Sequence, residues 1–212
     1  MGATALNPVG VTEPIDCALL GRLANVITRA TDAFEAFDYT TALEVSEKFF
    51  WEFCDDYLEL VKERAYAEDG GIATTSARAT LALALHVQLR LLAPFLPYVT
   101  EEVWSWWQDG SVHLAAWPDA LDLGASAATD GSMIGHVGSA LGGVRGAKSQ
   151  AKVSMRTQVA RVEFTGQDEV LAGIEQAQDD LRRAGKIIGE IVFTRDPEAT
   201  ELQTTAELVT ED

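Results

Sequence analysis

Apolar residues recur at intervals of three and four along the first hundred residues, which is the spacing of one buried helix face. The first stretch with this pattern spans residues 14–37, and its apolar positions predict an amphipathic helix. The same pattern predicts a second helix over residues 38–67 and a third over residues 74–93. These three helices account for most of the first half of the chain.

The segment from Leu91 to Trp117 has a more distinctive order. Pro94 and Pro97 end or kink the third helix, because proline has no N–H to donate and clashes with the preceding turn. A short fourth helix is predicted next, with Glu101 and Glu102 in its first turn, where the helix dipole favours negative charge. The remaining landmarks of the segment follow in this order: Trp104, Trp106, Trp107, Gly110 and His113.

Four helices with short joins predict a mainly α-helical fold, an antiparallel four-helix-type bundle over residues 14–118. Residues 1–13 are small and polar and are predicted to be a disordered segment or linker. Residues 119–131 are small, polar and slightly acidic, and we interpret them as a linker between two domains. Residues 132–195 are predicted to form a small C-terminal α+β module, followed by an acidic tail over residues 196–212.

The pattern within the module switches between helix and strand. A glycine-containing helix is predicted over residues 133–148, followed by a strand over 158–164, where apolar and polar residues alternate. A second helix is predicted over residues 168–184 and a second strand over 186–194. The predicted order is therefore helix, strand, helix, strand.

Charge is distributed unevenly. The chain carries a formal net charge of −17, which by itself disfavours binding to a polyanion. Residues 145–161, however, contain five basic and no acidic side chains. Any nucleic-acid contact is therefore expected to be local, and the isolated chain is expected to bind RNA weakly.

Two sequence blocks resemble one known family. The first is Pro-Phe-Leu-Pro, then Thr-Glu-Glu-Val-Trp, then Gly-Ser, a histidine and Trp-Pro, between Pro94 and Pro118. The second runs from Lys48 to Lys62 and includes Phe-Trp-Glu-Phe-Cys-Asp-Asp-Tyr. Both resemble the anticodon-binding region of class I aminoacyl-tRNA synthetases, the valine enzymes most of all, and the likeness extends more loosely from about residue 14 to 193. Leu114 departs from this pattern, since relatives often carry a basic residue there.

The resemblance implies a function of tRNA anticodon recognition and positioning, with valine tRNA and the catalytic domain of the same polypeptide as partners. The parent enzyme would be an ATP-dependent ligase that uses ATP and Mg²⁺. The family's His-Ile-Gly-His-like motif and Lys-Met-Ser-Lys-Ser loop do not occur here. We therefore expect an excised C-terminal piece of the enzyme, in the cytoplasm, with no catalytic residue, cofactor or metal of its own.

The predicted tRNA-binding residues fall into two groups. The first group is the basic run in an otherwise acidic chain, where cations would meet phosphates. The second lies on the outer side of the second helix, where cations flank a tryptophan on which a base could stack. The first group comprises Arg145, Lys148, Lys152 and Arg156, and the second comprises Lys48, Trp51, Lys62 and Arg64.

Other interpretations stay open at this point. The chain could be a helical protein-interaction module with an exposed tryptophan patch, or the equivalent region of an isoleucine or leucine enzyme. A small enzyme with a site built from Asp55, Glu59 and His86 is a further alternative. Cys17 and Cys54 lie far apart in sequence and form no metal-binding or disulfide pattern. No signal peptide or membrane span is expected, and the sequence does not indicate an oligomeric state.

Overall fold

The computed structural model describes residues 6–68 and 70–209. Within them the chain is mainly α-helical with one small three-stranded sheet. The first five residues of the predicted disordered segment and the last three of the predicted tail lie outside the described residues. The helices are α1 (Pro14–Glu35), α2 (Tyr39–Glu52), α3 (Leu58–Tyr66), α4 (Ile72–Leu92), α5 (Pro97–Ser105), α6 (Ser132–Gln150), α7 (Asp168–Gln176) and α8 (Gln178–Gly185). The strands are β1 (Val159–Gly166), β2 (Ile187–Arg195) and β3 (Gln203–Leu208).

The chain divides into two compact units. The first contains the residues up to Asp55 together with Ala67–Gly131, and the second contains Asp56–Tyr66 together with the residues from Ser132 onward. Helix α3, predicted as part of the helical bundle, therefore belongs with the C-terminal half of the chain. The predicted second helix is interrupted by a π-helical turn at Phe53–Tyr57, which separates α2 from α3.

Helix α1 is the centre of the first unit. Its apolar stripe is buried from Ile15 to Ala30 as the spacing predicts, with Leu19, Leu20 and Leu23 fully inaccessible to solvent, whereas Phe37 at the end of the predicted helix is exposed. The helix packs against α2 and α4, and α4 packs against α5. Burying these leucines stabilises the unit by about 1.5–3 kcal/mol per side chain.

A buried polar cluster fixes the start of α1 against α4. The Ser76 hydroxyl donates to the Asp16 carboxylate at 2.6 Å and accepts hydrogen bonds from the backbone N–H groups of Thr12 and Glu13. Asp16 and Ser76 are both fully buried. Within the described residues 6–13, the end of the segment that was expected to be disordered or a linker is therefore held on the first unit through Thr12 and Glu13.

Residues 119–131, expected to be a linker, are instead packed on α1. Most of the segment, Ala120–Ala128, forms two 3₁₀ turns separated by a kink at Gly124, with Leu123 fully buried. Gly21 allows this close approach, because a Cβ atom at that position would lie 2.0 Å from the carbonyl oxygen of Thr129. The small, polar composition that indicated a linker reflects a tight contact between backbones.

Helix α5 begins at Pro97, as the proline break predicts, and ends at Ser105, five residues before Gly110, where we expected it to stop. Glu101 lies beyond the first turn, and its carboxylate accepts hydrogen bonds from the hydroxyl of Ser111 and the backbone N–H of Val112. Glu101 therefore supports the loop that follows α5. The predicted role, a negative charge in the first turn that interacts with the helix dipole, is not observed.

The second unit contains the sheet, in the order β2-β1-β3. Strand β1 pairs in parallel with β2 and antiparallel with β3. The predicted helix–strand–helix–strand order is observed, with the second helix divided into α7 and α8. Strand β3 comes from the segment predicted as an acidic tail. Its alternation of exposed and half-buried residues is that of a strand with one covered face.

Candidate nucleic-acid interface

In the first unit, basic side chains gather along the groove between α1 and α2. On α1, the polar residues Arg22, Asn25 and Arg29 recur at intervals of three and four and therefore share one helix face. Lys48 of α2 lies opposite them. A cavity of about 80 Å³ in this groove is lined by Arg22, Asn25, Val26, Arg29, Glu44, Val45, Lys48 and Phe49.

Two of these cations are available to a ligand. Arg22 donates to Glu52 at 3.1 Å and is therefore partly neutralised. Arg29 and Lys48 are exposed, and among the described residues neither side chain forms an ion pair or a hydrogen bond. We name Arg22, Asn25, Arg29 and Lys48 the α1–α2 groove.

An exposed aromatic ring follows Lys48 on α2. Trp51 lies three residues further along the helix and is 53% exposed. Phe50 supports the indole edge-to-face, with ring centroids 5.2 Å apart. An exposed indole on the same helix face as a lysine provides a surface for stacking a base and a charge for its phosphate.

Lys48 and Trp51 are among the tRNA-binding residues predicted from the sequence, whereas Arg22 and Arg29 are not. Their spacing of seven places them on the same side of α1, along the edge of its apolar stripe. That spacing is visible in the sequence. What the sequence does not show is that this side of α1 lies next to α2.

The two remaining predicted residues on the second helix lie in the second unit, on α3. Lys62 is exposed, but its ammonium contacts both carboxylate oxygens of Glu59 at 2.9 Å. Arg64 is only 6% exposed and donates to Asp180 through Nε and Nη2. The exposure expected of Arg64 is therefore not observed, and the residue holds α3 against α8.

The basic run does not form one helical face. Arg145 lies on α6, 3.8 Å from the carboxylate of Glu59. Lys148 is 2% exposed, and its ammonium donates to the carbonyl oxygens of Met155 and Gly185 at 3.0 and 2.8 Å. Burial, with smaller contributions from Lys186 and Arg145, lowers the pKa of Lys148 below its usual value. Lys148 therefore holds the chain after α6 in place. Its ammonium does not face solvent, although the predicted phosphate contact would require this.

Lys152 and Arg156 are exposed, in the loop that follows α6. Helix α6 ends at Gln150, so these two residues do not continue its surface. Lys152 adopts a left-handed backbone conformation with φ of 56°. The loop borders an open groove of about 1020 Å³ whose lining residues are Ala151, Val153, Ser154, Arg156, Thr157, Gln158, Leu208 and Val209.

The face of the sheet that carries Arg161 is acidic. Arg161 of β1 lies among the carboxylates of Glu163, Glu190 and Glu207, each 3.6 Å from a guanidinium nitrogen. Three carboxylates around one cation leave a negative surface, which disfavours a phosphate backbone. Among the described residues of the second unit, we therefore retain Lys152 and Arg156, in the loop after α6, as the nucleic-acid candidates.

The histidines and cysteines have structural environments. His86 stacks near Trp104, with ring centroids 4.9 Å apart, and burial together with Arg90 lowers its pKa to about 4. The carboxylate that shares a cavity with His86 is that of Asp122, not Asp55 or Glu59 of the small-enzyme alternative. Burial raises the pKa of Cys54, which disfavours its reactive thiolate.

Neither a metal site nor a membrane-spanning helix is found within residues 6–68 and 70–209. No group of three or more histidine, cysteine or acidic side chains there is arranged to hold a metal ion. None of the helices formed by these residues is both long enough and apolar enough to cross a membrane.

The chain matches proteins of one family. Residues 16–164 match the sequence profile of the anticodon-binding domain of tRNA ligase. The chain is 50% identical over 192 residues to the valine–tRNA ligase of Salinispora tropica, covering 84% of the chain and 22% of that protein. It is 48% identical over 206 residues to the enzyme of Thermobifida fusca, covering 97% of the chain and 23% of that protein.

These matches confirm the resemblance inferred from the two sequence blocks. The chain spans about a fifth of the length of the curated relatives that it matches. The matched region includes the α1–α2 groove and all but the last two residues of strand β1 in the second unit. The chain belongs to the family of anticodon-binding domains of tRNA ligases.

Proposed function

We propose that this chain recognises the anticodon stem-loop of valine tRNA as part of a valine–tRNA ligase. The observation that carries the proposal is the pair of exposed cations, Arg29 and Lys48, beside the exposed Trp51. The helices of the first unit are proposed to form the antiparallel, four-helix-type bundle that presents this groove.

The chemistry of the groove suits a single-stranded loop. Arg29 and Lys48 would contact phosphates, which supplies affinity and orientation without reading sequence. Trp51 would stack on a base that has left the helical stack of the RNA, contributing about 1–3 kcal/mol. Asn25 lines the same cavity and carries a carboxamide oxygen that can accept a hydrogen bond from a base edge.

The second unit is proposed to add phosphate contacts through Lys152 and Arg156. Both lie in the loop after α6, beside an open groove with polar and apolar lining. Arg145, Lys62, Lys148 and Arg64 are assigned no direct RNA contact in this proposal, because each has a protein partner.

The contribution of this chain to the ligase is proposed to be positional. Binding energy released at the anticodon, far from the reacting atoms, is used to orient the acceptor end of the tRNA. ATP and Mg²⁺ would be used by the catalytic domain of the same polypeptide. The described residues of this chain would hold and orient the RNA, and they would make or break no bond.

Cross-linking in the full-length ligase tests the proposed function. A valine tRNA with a photoreactive base in its anticodon loop is expected to cross-link to residues 22–51. Cross-links confined to other parts of the ligase would contradict the proposal.

Competition with isoleucine and leucine tRNAs tests the choice of amino acid. Preferred binding of one of these tRNAs would favour the corresponding alternative. A ligase that bound no tRNA through this chain would favour a protein-interaction module.

A further inference from the structure

Helix α5 carries large apolar side chains on both sides. Trp104 is 4% exposed and packs with Leu89 and Val112 in a small core, as an amphipathic helix requires. On the opposite side Tyr98 is 89% exposed and Trp106 is 63% exposed. Soluble surfaces seldom expose clustered large apolar groups unless these groups contact something.

The exposed side continues into neighbouring segments. His113 donates from Nε2 to the carbonyl oxygen of Pro97 at 3.1 Å, which holds the 3₁₀ turn Val112–Leu114 beside the start of α5. Leu114, at the end of that turn, is 89% exposed. We name the exposed apolar residues of α5 and its flanking segments, Leu96, Tyr98, Val99, Trp106 and Leu114, the α5 patch.

The α5 patch is held in place by hydrogen bonds. Trp106 donates from Nε1 to the carboxylate of Glu102 at 3.1 Å, one helical turn earlier. Glu101 ties Ser111 and Val112 to the helix from the other side of the loop. A surface whose rings and loop are already fixed loses little conformational entropy on binding.

The charge around the patch identifies the class of partner. Residues 91–120 contain four acidic and no basic side chains. A base stacked on Trp106 would therefore bring its phosphate towards Glu102 and Asp109, with no lysine or arginine of this segment to neutralise it. A protein surface that is apolar at its centre and basic at its rim complements the patch.

We infer that the α5 patch docks onto such a surface elsewhere in the same ligase polypeptide. The inference rests on the proposed function, in which this chain is one part of a longer ligase. The curated relatives are about four to five times longer than the matched segment, so most of their chain lies outside it. In this assignment the α1–α2 groove binds RNA and the α5 patch binds protein.

A photoreactive residue in the full-length ligase tests this assignment. Tyr98 is replaced by a photoreactive phenylalanine analogue, and the control carries the same analogue at Tyr66, which is 82% exposed. The Tyr98 site is expected to cross-link within the polypeptide, to a lysine- or arginine-containing segment outside these 212 residues, with a higher yield than the Tyr66 site.

Three results would overturn the inference. These are cross-links from the Tyr98 site to tRNA, cross-links to a second copy carrying a different tag, and a yield no higher than that at Tyr66. Valine tRNA binding is measured on the same preparations. If the Tyr98 site gives no intramolecular cross-link while tRNA binding is intact, the docking surface alone is refuted. If the unmodified ligase does not bind valine tRNA, the proposed function is refuted.

Discussion

Arg64 donates two parallel hydrogen bonds to Asp180, from Nε to Oδ1 at 3.1 Å and from Nη2 to Oδ2 at 2.8 Å. The two residues are 116 positions apart in sequence, and both side chains are less than a tenth exposed. Their pairing joins α3 to α8 and explains why a helix from the first third of the chain belongs to the second unit.

Removing one partner of this pair should be costly. Asp180→Ala removes the Asp180 carboxylate from the buried Arg64 guanidinium, and we expect a loss of about 3 kcal/mol in the free energy of unfolding. Lys62→Ala is the matched control on the same helix, because it breaks an exposed ion pair with Glu59 and should cost less than about 1 kcal/mol. Urea denaturation measures both. Equal losses for the two variants would contradict the structural role of the pair.

Substitutions at Lys148 and Lys152 should distinguish an effect on the free energy of unfolding from an effect on RNA binding. Lys148→Met leaves the carbonyl oxygens of Met155 and Gly185 without their donor, and we expect a loss of about 1–3 kcal/mol in stability. Lys152→Met should leave stability within about 0.5 kcal/mol, because the side chain is exposed. Denaturation and tRNA binding are measured on both variants. A Lys148→Met protein of unchanged stability would contradict the assignment of its ammonium.

Two neighbouring glycines of α6 should respond oppositely to alanine. A Cβ atom at Gly143 would lie 2.3 Å from Oγ1 of Thr204 on β3, whereas one at Gly142 would meet nothing within 4 Å. Gly143→Ala is therefore expected to destabilise the protein by about 1–3 kcal/mol. Gly142→Ala should stabilise it by about 0.5–1 kcal/mol, since alanine favours helix. Thermal unfolding measures both, and a shift of the same sign in the two variants would contradict this packing.

The depressed pKa of His86 predicts a loss of stability in mild acid. The folded-state pKa is about 4 and the ordinary value is 6.5, so between these values the unfolded chain binds the proton and the folded chain does not. Stability contributed by the neutral ring is therefore present above about pH 6.5 and is lost as the pH falls towards 4.

The variant His86→Gln isolates this effect from the titration of carboxylates. The difference in unfolding free energy between the wild type and the variant should shrink as the pH is lowered from 7 to 4.5. A difference that stays constant across this range would show that the ring does not have the lowered pKa.

Much of the fold could be predicted, because the helices and first two strands follow local hydrophobic periodicity. Strand β3 was missed, because its polar residues become a strand only by pairing with β1. The packed 3₁₀ segment Ala120–Ala128 was missed for a similar reason, since its small residues depend on Gly21 of α1.

The candidate site was predicted less completely. Helical spacing identifies cations on one side of a helix but not what lies opposite them. Lys148 therefore seemed equivalent to Lys152, although loop carbonyl groups surround its ammonium. Arg29 was missed because it becomes a candidate RNA contact only through its proximity to Lys48 on another helix.

The salt dependence of tRNA binding tests the central claim most directly. In the full-length ligase, Arg29→Gln with Lys48→Gln should weaken binding to valine tRNA and reduce the slope of log affinity against log salt by about 1 for each cation that contacts phosphate. The matched control is Arg195→Gln, which removes a cation already paired with Asp168 and Glu175. The α1–α2 groove is supported if only the double variant loses slope. An unchanged slope in the double variant, or an equal loss in the control, would contradict it.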